Sequence, residues 1–367
     1  MSDLLLRALR NPGLSASLSL PEWELLVRQA RHADLLARLA YRLEVCGGME
    51  NVPAQPRRHL AAAQLLAHAQ QEEVRREVRF IADALASVDT PVILLKGAAY
   101  VMAGLPSAEG RLFSDIDVLV ERKQLNQAEA ALMLAGWATT HHTPYDQRYY
   151  RQWMHEVPPL LHLRRQTVLD LHHTILPLTA RLKPDAHKLI AAARPLAGHP
   201  KLWLLAPTDL ILHSMTHLFH NEEMSHGLRD LSDLDLLLRH FGTEEGFWAC
   251  LLERARELDL TRPLYYGLRY TACLLDTPVP PHVVARIEQH APPNFLRPFM
   301  DALWKRGLRS LHCTATDGWS HSALGALYIR AHWLRMPPLL LARHLFVKAT
   351  GLHERGGMRQ RDQQQAA

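Results

Sequence analysis

The sequence has few cysteines, and their positions exclude two common kinds of cysteine-based site. The 367 residues include four cysteines: Cys46, Cys250, Cys273 and Cys313. No two of them form a C-x-x-C pair, so the pattern indicates neither a zinc ribbon nor a disulfide framework. Because reduced cysteines are the rule in the cytoplasm, we expect a cytoplasmic protein.

The sequence also lacks a long apolar run. The longest apolar stretch near the C-terminus, Pro337 to Val347, is interrupted by Arg343 and His344. It is shorter than the roughly 20 residues that a membrane-spanning helix needs. The N-terminus carries Asp3 where a signal peptide would have basic residues followed by an apolar segment. We therefore expect neither a transmembrane segment nor a signal peptide.

Aromatic residues are sparse at 7% of the chain, whereas the formal net charge is +5 and the sequence pI is near 9.1. A basic chain suits a polyanionic partner such as a nucleotide, RNA or an acidic surface. Aromatic and basic side chains alternate only between Tyr145 and Trp153. We therefore interpret most basic clusters as solvated helix faces, not as a groove for single-stranded nucleic acid.

Two aspartates separated by one residue form the most informative motif. Asp115 and Asp117 flank Ile116 and are followed by Val-Leu-Val, a run typical of a β-strand. On a strand, both carboxylates project from the same face. Mg²⁺ is a suitable partner for such a pair, because carboxylates, phosphate oxygens and water complete its coordination. A solvated pair at the start of a strand is the alternative.

The segment before this motif predicts a phosphate-binding turn. Residues 91–95 are mostly apolar and indicate a buried strand, which turns at Gly97 into a helix. A glycine at this position lets backbone N–H groups approach a phosphate, and a helix N-terminus favours negative charge. Lys96 would add a mobile cation.

These residues together resemble a known family. Leu95-Lys96-Gly97, with Arg111 shortly before the Asp115–Asp117 pair, is similar to the bacterial nucleotidyltransferase-like proteins of the polymerase-β-type superfamily. The resemblance implies an α/β (α+β) fold with a small mixed-sheet palm, in which the paired aspartates bind metal. It also implies that Lys96, the Gly97 N–H group and Arg111 hold a triphosphate, with Ser114 beside them. An ion pair with a structural carboxylate is the alternative role of Arg111.

The resemblance further implies a third carboxylate on a neighbouring strand, and Asp170 is the best candidate. Residues 159–164 and 167–172 read as two strands joined by a tight turn. Asp170 lies in the middle of the second strand, where a carboxylate is costly to bury unless it is paired or bound to metal. His172 shares its face and is expected to orient Asp170, contact a phosphate or act as a base. A surface histidine at a strand end is the alternative.

The remaining segments are predicted to be helical. A capping box at Ser19–Glu22 begins a helical pattern that ends at Gly47, and a longer helix covers residues 57–88. A helix at 124–134 lies within the α/β unit, and helices resume from Pro184. We therefore divide the chain into four parts: an N-terminal helical segment (1–90), the palm (91–180), a C-terminal helical domain (181–353) and a polar, disordered tail (354–367).

Two motifs in the C-terminal helices need separate interpretation. Asp209, His213, His217 and His220 form nearly one stripe on a helix. These side chains can line the seam between packed helices, or they can contact the nucleotide or the acceptor. A third interpretation makes them metal ligands of a helical phosphohydrolase. The next helix is similar to the Arg-and-Asp helix that follows the palm in the same family, which implies that Arg229 reaches a triphosphate. An ordinary surface ion pair with the aspartate four residues later is the alternative.

The sequence thus predicts a metal-dependent nucleotidyltransferase that moves a nucleoside monophosphate from an NTP to an acceptor hydroxyl. Asp115, Asp117 and Asp170 would hold Mg²⁺ or Mn²⁺ in a two-ion site. The acceptor can be RNA, a protein, a sugar or a small molecule, and the sequence indicates no oligomeric state. Two other classes stay open: a catalytically silent nucleotide-binding regulatory protein, and the helical His/Asp phosphohydrolase.

Overall fold

The computed structural model describes residues 3–139, 143–338 and 340–342. The chain forms two compact units, and each consists of several segments. The first unit comprises Met1–Arg76, Lys96–Phe113 and Pro207–Ile329, and the second comprises Glu77–Leu95, Ser114–Ala206 and the chain from Arg330. The predicted disordered tail, 354–367, lies outside the described residues.

The described residues are predominantly helical. The α-helices are, in chain order, α1 (Leu4–Arg10), α2 (Leu20–His32), α3 (Leu36–Val45), α4 (Ala54–Ala84), α5 (Lys96–Met102), α6 (Leu125–Leu134), α7 (Pro144–Trp153), α8 (Ala186–Ala192), α9 (Pro207–His220), α10 (Gly227–Phe241), α11 (Phe247–Glu257), α12 (Thr261–Leu275), α13 (Pro281–Ile287), α14 (Arg297–Gly307) and α15 (Ser320–Arg335). Among the described residues, no helix combines the length and the apolar character needed to cross a membrane.

The second unit contains a mixed sheet of seven strands. The strands are β1 (Val92–Leu94), β2 (Ile116–Leu119), β3 (Trp137–Thr139), β4 (Leu160–His162), β5 (Val168–His172), β6 (Arg194–Leu196) and β7 (His199–Leu204). Their order across the sheet is β3-β4-β5-β2-β1-β7-β6. β2 pairs in parallel with β5 and antiparallel with β1, whereas β1 pairs in parallel with β7. The predicted α/β fold with a mixed sheet is confirmed.

Apolar side chains explain why the central strands form. Val92, Ile93 and Leu94 are fully buried in β1, and Val118 and Leu119 are fully buried in β2. Strands buried on both faces read as continuous apolar runs, which is the pattern that identified β1 in the sequence. Asp117 is the charged residue within β2, and it too is buried.

The first unit is a helical assembly with a buried ion network. Arg38, which is fully buried, donates to a carboxylate oxygen of Asp233 over 2.9 Å, and Arg111 donates to the other oxygen over 2.6 Å. Arg42 and Arg239 bind Asp235, two residues further along α10. These charges are costly to bury alone, so each carboxylate is matched by guanidinium groups.

Several helix predictions differ from the structure. The helical pattern from Ser19 to Gly47 is interrupted, because Asp34 adopts a left-handed φ of 55° and separates α2 from α3. The prediction that helices resume from Pro184 was wrong for residues 194–204, which form β6 and β7. β7 gains its partner from the distant β1, and no local periodicity can indicate such a pairing. The capping box at Ser19 and Glu22 is confirmed.

Candidate functional site

Asp117 and Asp170 lie directly opposite each other on neighbouring strands. β2 and β5 are parallel, and their register pairs the Cα atoms of these two residues. The period of two along each strand then projects both carboxylates from the same face of the sheet. The antiparallel hairpin of β4 and β5, which the sequence predicted, holds Asp170 in this position. Two carboxylates thus meet near the centre of the sheet.

The environment of Asp170 is unfavourable for its own negative charge. Its Oδ1 atom is inaccessible to solvent and has no hydrogen-bond partner in the structure. Burial, with the nearby carboxylates of Glu156, Asp117 and Asp115, raises the pKa of Asp170 to about 8, although His172 opposes this rise. Buried oxygens are normally satisfied, so this carboxylate is suited to a cation.

Asp115 precedes β2 and is half-buried. The Ser114 hydroxyl donates a hydrogen bond of 3.1 Å to its Oδ1 atom. Asp115 also acts electrostatically on Asp170, which shows that the two charges belong to the same region of the second unit. The structure therefore brings together Ser114, Asp115, Asp117 and Asp170, and their role as ligands remains a prediction.

His172 is hydrogen-bonded to this group. Its Nε2 atom lies 2.9 Å from Oδ1 of Asp117, and both side chains are buried. Its Nδ1 atom faces Oε2 of Glu156 at 3.3 Å. His172 is therefore not a surface residue at a strand end, as the alternative reading supposed.

Sequence reasoning missed three residues near this site. Glu156 forms an isolated antiparallel bridge with His172, and the neighbouring ring of His155 lies 5.2 Å from that of His172. Burial raises the pKa of Tyr150, and the carboxylates of Glu156 and Asp170 add to this effect. The pair His155-Glu156 carried no spacing motif relative to His172, so only the tertiary structure shows their proximity.

A divalent ion requires several oxygen or nitrogen ligands that converge on one point. Within the described chain, three His, Cys, Asp or Glu side chains approach within 4.8 Å of one another at one place, formed by His155, Glu156 and His172. Among the described residues, Asp115, Asp117 and Asp170 do not form a group within that distance. The buried, unpartnered oxygen of Asp170 and the excess of carboxylates fit a hard oxygen-ligated ion such as Mg²⁺.

Lys96 and Gly97 lie in the first unit, at the start of α5. The turn after β1 is made by Lys96 itself, which has a φ of 41°, and not by Gly97 as predicted. A Cβ atom at Gly97 would lie 2.9 Å from the Phe113 ring and 3.2 Å from Nε of Arg111. Close side-chain packing therefore explains this glycine, and phosphate binding by Lys96 and Gly97 remains a prediction.

Arg111 and Arg229 also belong to the first unit, and both bind carboxylates. Arg111 is buried and contacts Asp233, as the structural alternative for this residue described. Arg229 donates to the adjacent Asp230 over 3.1 Å. The suggested surface pair of Arg229 with Asp233 was wrong, because Asp233 is buried and is bound by other arginines. Triphosphate binding by Arg111 and Arg229 stays a prediction.

The histidine stripe on α9 does not form a metal group among the described residues. Asp209, at its start, accepts two hydrogen bonds of 2.7 Å from Arg254. Nδ1 of His220 lies 3.0 Å from the backbone oxygen of Thr216, and Nδ1 of His217 lies 3.9 Å from Oδ2 of Asp230. A carboxylate already held by a bidentate arginine is a poor metal ligand, so this geometry favours a helix seam over a phosphohydrolase centre.

A family model matches most of the chain. A family model described as an uncharacterised nucleotidyltransferase matches residues 19–276, which is more than two thirds of the chain. No curated protein matches the sequence. The matched range contains Asp115, Asp117 on β2, Asp170 on β5 and the helices α9 and α10. The resemblance seen in the sequence is confirmed, and the chain belongs to this family of nucleotidyltransferases.

Proposed function

We propose that this protein transfers a nucleoside monophosphate from an NTP to an acceptor hydroxyl in a reaction that depends on Mg²⁺ or Mn²⁺. Membership of a nucleotidyltransferase family supports the general reaction. The observation that supports the metal dependence is the pairing of Asp117 with Asp170 on neighbouring strands. The buried Oδ1 atom of Asp170 has no hydrogen-bond partner in the structure. An isolated carboxylate of this kind is stable when a cation neutralises it.

Asp115, Asp117 and Asp170 would hold the metal in this reaction. Divalent ions in such sites polarise phosphate oxygens and stabilise the attacking and leaving oxygens of an in-line displacement. The strands fix where the carboxylates stand, since Asp117 and Asp170 are positioned by backbone pairing along β2 and β5. Asp115 directly precedes β2, and the Ser114 hydroxyl donates to its Oδ1 atom.

His172 positions Asp117 in this proposal. An ionised carboxylate only accepts hydrogen bonds, so the imidazole Nε2–H donates to Oδ1 of Asp117. This bond fixes the rotamer of Asp117 through Oδ1, and Oδ2 is the oxygen that we propose as the metal ligand. The same bond means that Nε2 of His172 is not the atom that receives the proton of the acceptor hydroxyl.

The experiment that tests the proposal uses two labelled forms of each NTP. The full chain is incubated with Mg²⁺ or Mn²⁺, a cell extract as the source of acceptor, and NTP labelled at the α- or the γ-phosphate. Nucleotidyl transfer moves the α-label to an acceptor and releases the γ-label as pyrophosphate, whereas a kinase moves the γ-label. Asp115→Asn and Asp117→Asn should abolish transfer.

Asp83→Asn is the matched control, because Asp83 is an exposed aspartate of the second unit. This variant should transfer the α-label as the wild type does. Binding of an NTP without transfer of either label would instead support the catalytically silent regulatory protein. Transfer that survives Asp117→Asn would contradict the proposed role of the site.

A further inference from the structure

A second group of ligand atoms lies beside the aspartates. Oε2 of Glu156 is 3.5 Å from Nε2 of His155 and 3.3 Å from Nδ1 of His172, and all three ligand atoms lie within 4.8 Å of one another. Each of the three side chains is at most 15% exposed. We propose that His155, Glu156 and His172 bind a divalent transition-metal ion, with Zn²⁺ the first candidate.

The spacing of the ligand atoms supports a metal ion. Bonds of roughly 2.0–2.2 Å in a tetrahedral site place neighbouring ligand atoms roughly 3.3–3.6 Å apart. Both distances from Oε2 of Glu156 to the imidazole nitrogens fall in this range. They are longer than the usual N–H···O distance of about 2.7–3.2 Å, so a simple hydrogen-bonded cluster accounts for them less well.

The hydrogen bond on the other side of His172 supports the same conclusion. Because Nε2 donates to Oδ1 of Asp117, a neutral imidazole presents the Nδ1 lone pair to the Glu156 carboxylate. Two acceptors at this distance repel each other unless a proton or a metal ion lies between them. A carboxylate that receives the second N–H of a metal-bound histidine is the usual support of such a ligand.

The position of His155 favours the metal ion over a proton. A proton between His172 and Glu156 would give one imidazolium, on His172. It would not explain why Nε2 of His155 also faces Oε2 of Glu156. The rings of His155 and His172 are 5.2 Å apart, a separation at which two protonated imidazoles would repel. One dication coordinated by two neutral imidazoles and a carboxylate avoids this repulsion.

The backbone holds the ligands in place before any ion binds. The His173 N–H donates to the His155 carbonyl oxygen over 2.9 Å, and the Val157 N–H donates to the Leu171 carbonyl oxygen over 3.0 Å. Between these two hydrogen bonds, the backbones of Glu156 and His172 face each other as an isolated antiparallel β-bridge. Two imidazoles and one carboxylate suit Zn²⁺, Mn²⁺ or Fe²⁺, and three protein ligands leave a coordination position for water.

The test is metal binding by the chelator-treated full chain in the absence of nucleotide. Zn²⁺ is titrated calorimetrically, and Co²⁺ serves as a spectroscopic substitute whose visible absorption reports tetrahedral nitrogen and oxygen ligands. Mn²⁺ and Fe²⁺ are titrated in parallel to identify the preferred ion. We expect the wild type to bind one metal ion per chain tightly. In Glu156→Gln and in His155→Gln, the affinity for this ion should fall by at least about tenfold.

His187→Gln is the matched control, because His187 is an exposed histidine on α8 in the same unit. It should bind the ion as the wild type does. Far-UV circular dichroism in chelator shows whether Glu156→Gln and His155→Gln are folded. One folded variant of the two is enough to compare its metal affinity with that of the wild type. No tight transition-metal binding by the wild type, or equal binding by the folded ligand variants, would overturn the proposal.

This site and the proposed nucleotidyl transfer can fail separately. Asp115→Asn should retain Zn²⁺ binding, since Asp115 contributes no atom to the group, while it loses the response to Mg²⁺ and NTP. Asp117→Asn should lower the affinity for Zn²⁺ by about 10–100-fold, because it alters the partner of the His172 Nε2–H. Zn²⁺ affinity unchanged in Asp117→Asn would contradict the inferred link between the two sites.

Discussion

Replacing Asp170 by asparagine should change how the stability of the metal-free protein depends on pH. The pKa of Asp170 is raised to about 8 in the folded protein, chiefly because the carboxyl of this half-buried side chain is removed from solvent. In the unfolded chain this carboxyl has a pKa of about 4. Between these two values the folded state retains a proton that the unfolded state releases, so raising the pH destabilises the wild type.

The slope of this effect is about 1.4 kcal/mol per pH unit. From pH 5 to pH 7 the wild type should therefore lose roughly 2.7 kcal/mol through Asp170, whereas Asp170→Asn lacks this titration. Urea unfolding in chelator at pH 5, 6 and 7 measures the difference, with Asp83→Asn as the control. Parallel pH dependences for the wild type and Asp170→Asn would refute the inferred environment of this carboxylate.

Three further predictions concern other parts of the chain. Burial lowers the pKa of His173 to about 4, so this side chain should contribute a loss of about 2 kcal/mol as pH falls from 6.5 to 4. In urea titrations, His173→Gln should therefore be more stable at pH 4, relative to its stability at pH 6.5, than the wild type is. Asp233→Asn leaves two buried arginines without their carboxylate and should lower the free energy of unfolding by about 3–5 kcal/mol, measured as a shift in the urea midpoint. Gly110→Ala should cost about 2 kcal/mol or more in the same assay, because φ is +66° and the new Cβ would lie 2.5 Å from the Ala37 backbone. An unchanged midpoint in either of the last two variants would contradict the packing described for the first unit.

Local patterns predicted the strands that carry the aspartates. The apolar run before Lys96 and the alternation around Asp117 are both visible in the sequence, and both form strands. The hairpin that carries Asp170 was marked by a polar break between two apolar segments, where Gln166 adopts a φ of 60°. These elements could be predicted because their signals lie within a few residues of one another.

Long-range partners could not be predicted in the same way. β7 forms because it pairs with β1, and Glu156 comes to His172 through a bridge between separate segments. Arg111 was assigned two alternative roles in the sequence, since the carboxylate of Asp233 that binds it is 122 positions away. Such contacts depend on tertiary packing, which overrides local propensity.

Binding of Mg²⁺ with an NTP tests the central claim most directly. Thermal unfolding is followed with each of the four NTPs, for the wild type, Asp117→Asn, Asp170→Asn and the control Asp83→Asn. If the paired carboxylates bind the metal, ligand at a hundredfold above its Kd should stabilise the wild type and the control by about 2.7 kcal/mol. Both site variants should lose this stabilisation while their metal-free forms remain folded. Stabilisation by Mg²⁺ and NTP that is the same in all four proteins would contradict the assignment of Asp117 and Asp170 as metal ligands.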